Sequence, residues 1–146
     1  MAATTDLVAS STGTTTASFA SASVSTVLLL CGAIHLIPAV GILGPVRLES
    51  LYGIKLGADP NLNVLLRHRA LLFGLLGIPL TMASFHPAWQ HSAIAAGLVS
   101  TASFIALCRL EAKPVNAHLR RVCLIDGFVV GGLLLSAGLL YWQRRS

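Results

Sequence analysis

Apolar residues along this chain come in long blocks, not in the alternation of a strand or the narrow stripe of a soluble helix. Four blocks of about 20 residues, near 24–44, 64–85, 90–108 and 121–142, hold few charged side chains, and about 20 helical residues cross a hydrocarbon core. The pattern predicts an all-α membrane protein. It is a four-transmembrane-helix bundle over 24–146, preceded by a disordered Ser/Thr-rich N-terminal tail over 1–23. Asp59 and Pro60 suit the cap and first position of the second helix, whose apolar span follows over 64–85. The joins are a loop over 45–63, the tight "HPAWQH" turn and the "EAKPVNAH" segment. Pro38 and Pro79 fall inside helices, where a membrane span tolerates them.

Composition strengthens this reading. Of 146 residues, 55% are hydrophobic and 10% charged, whereas a soluble domain carries about 25% charged residues. The lipid bilayer is therefore the first partner. The net charge of +5 does not point to nucleic acid, because the basic residues sit at the ends of apolar blocks and not on an aromatic-interleaved face. Around loops 45–63 and 111–118 lie Arg47, Lys55, Arg67, Arg69, Arg109, Lys113, Arg120 and Arg121, against only Arg144 and Arg145 on the other side. That asymmetry predicts cytoplasmic loops 45–63 and 111–118, with both termini opposite. Trp89, Tyr141 and Trp142 would then sit at the far interface.

Three basic residues, Arg67, His68 and Arg69, stand at the start of the second apolar block. From Ala70 to Phe85 there are about 24 Å of helix, short of a core of about 30 Å, so Arg69 must snorkel or find a partner. Neighbouring helical residues point about 100° apart, so the three cannot share one environment. Two readings stay open: interfacial anchors, or an inward arginine that meets an acidic group. His35, within the first span, and Asp126, just inside the fourth, keep the second reading alive, since ionisable groups in a membrane usually face the bundle interior and pair. Their depths differ by about 6 Å, so a His35–Asp126 pair is within reach, with Glu49, Arg69 or Arg121 joining from the edge. A purely structural contact between helices fits equally well.

The remaining chemistry is thin. Cys31, Cys108 and Cys123 form no CxxC motif and read as small hydrophobes. Cys31 with His35 and Cys123 with Asp126 share helix faces, but their depths of about 20 and 3 Å cannot serve one ion. No metal site and no cofactor is required by the sequence. Gly127 and Gly131 form a GxxxG, which more often marks close helix packing.

The runs "LESLYGIKLGADPNLNVLLRHRALLFGLLG", 48–77, and "NAHLRRVCLIDGF", 116–128, resemble the DoxX-like group of small four-helix membrane proteins. The pattern residues are Tyr52, Gly53, Arg67, His68, Arg69, Gly74, Arg121 and Asp126. The resemblance implies a four-helix fold and, for some relatives, a link to quinone or sulfur redox partners; it carries over no catalytic residue. Relatives are sometimes labelled phosphopantetheine adenylyltransferase, a chemistry that needs an α/β nucleotide site with HxGH, and neither is present here.

The functional expectation is a small multi-pass membrane protein that binds a hydrophobic small molecule of lipid or quinone type or serves as an accessory subunit of a membrane redox system. The candidate ligand-binding residues are His35, Glu49, Arg67, His68, Arg69, Arg121 and Asp126. The alternatives are a membrane enzyme that uses His35 and Asp126 as acid or base for proton transfer, isomerisation or oxidation, and a structural subunit of a membrane complex. Self-association through the fourth helix is a further possible contact.

Overall fold

A computed structural model of the chain describes residues 3–56 and 59–145, with side chains from residue 18 onward. Its elements are α1 (Ala3–Ala39), a 3₁₀ turn (Val40–Leu43), α2 (Pro45–Tyr52), α3 (Pro60–Ala83), a second 3₁₀ turn (Pro87–Trp89), α4 (Gln90–Leu110) and α5 (Ala117–Gln143). Four stretches are long and apolar enough to cross a membrane: Ser18–Leu43, Pro60–Ala83, Pro87–Leu110 and Ala117–Gln143. The expected all-α, four-span architecture is what the described residues form.

The second and fourth spans start a few residues earlier than their apolar blocks because caps set the helix ends. Asp59 accepts hydrogen bonds from the backbone of Asn61 and Leu62 at 2.9 and 3.4 Å, with Pro60 behind it. Asn116 caps α5 by accepting from the Leu119 N–H at 2.8 Å. Most of the tail expected to be disordered, residues 1–17, lies outside the residues whose side chains are described. Ser18–Ser23, however, belongs to the first span. Serine and threonine are tolerated there because their hydroxyls close on the helix's own carbonyls: Ser23 on Phe19 at 2.8 Å and Thr26 on Ala22 at 2.9 Å.

Helix α2 corrects the expectation of a plain loop over 45–63. Eight residues are too few to show a clear period, but its ends are well specified. Pro45 opens it, and Gly53 ends it in the left-handed conformation (φ 60°), its N–H donating to the Glu49 carbonyl at 2.9 Å. A side chain at Gly53 would also run into the His118 ring on α5. Leu48 and Tyr52 of α2 are buried with Leu56 and Ala70 in a small core against the start of α3.

The bundle neighbours run α3, α1, α5, α4, with a looser α3–α4 contact completing the ring. The tightest crossing joins α1 and α3, which run antiparallel. A Cβ on Gly32 would collide with Thr81 Oγ1 and lie 2.8 Å from its backbone nitrogen, and one on Gly77 would lie 3.0 Å from the Gly32 carbonyl oxygen. Glycines there let two backbones touch, the usual basis of helix association in lipid. The GxxxG of the fourth span does otherwise. A Cβ at Gly127 or Gly131 meets nothing within 4 Å, so these glycines pack against no other helix among the described residues.

The outer surface is apolar: Phe128 is 83% exposed, Leu110 80% and Val99 72%. So much uncovered hydrocarbon suits lipid and not water. Gly32→Ala should lower the thermal unfolding midpoint in mild detergent by the equivalent of about 1–3 kcal/mol of overpacking, whereas Gly131→Ala should leave it unchanged or raise it. Equal effects of the two would remove the α1–α3 crossing as the fulcrum of the bundle.

Candidate functional site

Four elements meet at one cavity of about 200 Å³, lined by Ile34, His35, Ile37 and Pro38 of α1, Leu51 and Tyr52 of α2, Arg69 and Phe73 of α3, and Val122, Ile125 and Asp126 of α5. Its polar groups are few, and each is positioned by a separate local device.

His35 is 2% exposed, and its Nδ1 lies 2.8 Å from the Cys31 carbonyl one turn earlier. A carbonyl can only accept, so Nδ1 carries the hydrogen and Nε2 is left for other partners. The ring also leans on Phe73, with centroids 5.9 Å apart.

The "RHR" triplet splits as helical geometry demands. Arg67 turns back along the helix surface, and its Nε donates to the Ile42 carbonyl at 3.1 Å, tying α3 to the 3₁₀ turn after α1. His68 points outward and is exposed. Arg69 alone turns inward. Its guanidinium carbon stands 5.4 Å from the Tyr52 ring centre, 5.2 Å from Phe73 and 4.6 Å from Phe104. Three ring faces within about 6 Å give a cation an apolar environment that still attracts it.

Asp126, buried on α5, lies within electrostatic reach of both His35 and Arg69. No ion pair joins it to either among the described residues. The expected His35–Asp126 pair is thus an arrangement across a cavity and not a direct contact.

Tyr52 is the participant that sequence reasoning left out of the site. It is 5% exposed, it lines the cavity, and its hydroxyl oxygen is buried with no well-formed hydrogen bond among the described residues, the Arg69 guanidinium being the one group close enough to act on it as a donor. Burial pushes its phenol above the ordinary tyrosine value; the Arg69 charge works against that shift and Asp126 adds to it. Its place is fixed by Asn116, whose side-chain amide donates to the Tyr52 and Gly53 carbonyls at 3.0 and 3.4 Å while its oxygen caps α5. One residue therefore ties the end of α2 to the start of α5.

The other sequence candidates lie elsewhere. Glu49 accepts from the Leu56 N–H at 2.8 Å and closes the turn after α2, and Arg121 is exposed on α5. With Arg67 and His68, these two stand outside the cavity lining. Phe104 had no sequence signal, because it meets Arg69 from another helix. Phe73 had a weak one, lying four residues after Arg69 on the same face.

No family model, curated protein or solved structure matches the chain.

The Tyr52 phenol can be titrated directly, because only Tyr52 and Tyr141 carry one. The tyrosinate absorbance lost in Tyr52→Phe should have its midpoint above about pH 10. The raised value means that the folded chain holds this proton more tightly than the unfolded chain. Its contribution to stability is therefore full below about pH 10 and is lost as pH rises through the folded value. Thermal midpoints should fall more steeply with alkaline pH in wild type than in Tyr52→Phe; equal slopes would mean a solvated phenol.

Proposed function

We propose that this multi-pass membrane protein holds an amphipathic small molecule, its polar head in the cavity between α1, α2, α3 and α5. The observation that carries the reading is the Tyr52 hydroxyl, buried with no well-formed hydrogen bond in a cavity that also holds His35, Arg69 and Asp126. A buried donor left unsatisfied costs about 1–3 kcal/mol, and a bound head group would recover that cost.

Size and charge narrow the occupant. An apolar cavity of about 150 Å³ takes one benzene ring, and drug-sized ligands need about 300–1,000 Å³, so about 200 Å³ suits a single small ring or a comparable polar head. Arg69 and Asp126 bring opposite charges, which favours a neutral head with both a hydrogen-bond acceptor and a donor. Ile37 and Ile125 line the cavity and are also 60% and 45% exposed on the apolar surface. A hydrophobic tail leaves between them, toward hydrocarbon. The DoxX-like resemblance supports the same lipid or quinone class and an accessory role beside a redox enzyme, since both resembling segments contribute to the lining, Tyr52, Arg69 and Phe73 from one and Val122, Ile125 and Asp126 from the other.

A second reading, an enzyme that moves a proton on the same molecule, is favoured by His35, whose Nδ1–H is anchored and whose Nε2 is left available to act as a base.

Native mass spectrometry of the full chain in mild detergent tests the binding. Wild type should retain a small molecule, and Tyr52→Phe and Asp126→Asn, still folded by circular dichroism, should retain at least about tenfold less, from the loss of one hydrogen bond to a buried polar group. Wild type without a ligand, or variants that keep it equally well, would refute the proposal. If His35→Ala binds normally but releases an unconverted molecule where wild type releases a changed one, the enzyme reading stands.

A further inference from the structure

At the end of the bundle where α4 passes to α5, two cysteines far apart in sequence come together. Cys108 in the last turn of α4 and Cys123 near the start of α5 line one gap of about 290 Å³ with Ile105, Arg109, Arg120 and Leu124. Their side chains are close enough to influence one another electrostatically, and both cysteines are free. Cys31 is buried in the apolar core with Val24, Leu28 and Leu133, away from this gap.

We propose that Cys108 and Cys123 form a reversible dithiol–disulfide pair that takes two-electron oxidants of the peroxide class and, when oxidised, staples α4 to α5. Two observations combine. The two cysteines line the same gap from neighbouring antiparallel helices, a placement from which a small side-chain movement can bring the sulfurs together. Neither side chain is sealed, each being only partly buried, so a small oxidant can reach them. Arg109 and Arg120 also line the gap.

The chemistry balances with hydrogen peroxide as oxidant. One thiolate attacks a peroxide oxygen, the O–O bond breaks, and the sulfur becomes a sulfenic acid as the first water leaves. The second thiol then displaces the sulfenic oxygen, which departs as the second water, and the S–S bond forms. Two thiols lose two protons and two electrons, and the peroxide gains both. A dithiol reductant reverses the step by exchange.

Full-length protein in lipid vesicles, treated with hydrogen peroxide and then unfolded and alkylated with a maleimide, gives the test. Before oxidation all three thiols should label. Afterwards only Cys31 should, with a peptide containing Cys108 joined to Cys123 and full labelling restored by dithiothreitol. Cys31→Ser should close the same bridge. Cys108→Ser should instead keep Cys123 as a thiol or a dimedone-trapped sulfenic acid, with no bridge within the chain. Three labelled thiols after oxidation of wild type, a bridge that includes Cys31, or dimers linked between chains would each overturn the assignment.

Discussion

The bundle turns on the place where α1 and α3 touch through bare backbone. Gly32 and Gly77 remove the side chains that would hold the helices apart, so their register is set within narrow limits. Everything on the polar end follows from it. One turn past Gly32, His35 meets the ring of Phe73, which lies one turn before Gly77 on its own helix. Further along, Arg67 comes opposite the Ile42 carbonyl at the end of the first span. A wider crossing would leave these groups out of reach of one another.

Within that frame the membrane treats polar groups in two ways. Hydroxyls close on their own helix, as Thr81 does on the Gly77 carbonyl and Thr101 on that of Gly97, both within 2.9 Å, and so cost little in hydrocarbon. Arg69 cannot do this. It is drawn inward by three aromatic rings from α2, α3 and α4, whose faces attract a cation without adding a second buried charge. Asp126 sits close enough to compensate it through the cavity without capturing it. A tight ion pair would have filled the site from within, whereas this spacing leaves room for a third group.

The short helix α2 walls one side of the gap between spans and so makes it a cavity. It exists because Pro45 and Gly53 delimit it, and it stays in place because Asn116 serves two helices at once. Its Tyr52 lines the cavity with an aromatic ring toward Arg69 and a hydroxyl that has no well-formed hydrogen bond. The same economy of position holds at the α4–α5 turn, where a short connection brings two partly buried cysteines to one gap.

The sequence by itself determined the solvent, the number of spans and the cap at Asp59, because each depends on local composition or on a few adjacent residues. It also determined that Arg67, His68 and Arg69 must part company, since 100° per residue is a property of any helix. It could not choose which of them turns inward. That depended on where Tyr52 and Phe104 lie, and these belong to other helices. His35 and Asp126 were legible as costly residues in apolar blocks, but their meeting across a cavity, the recruitment of Tyr52 and the approach of Cys108 to Cys123 came only with the tertiary structure. Each joins residues far apart in the chain, and the register that brings them together is set by backbone contact at a glycine crossing, which no local pattern encodes.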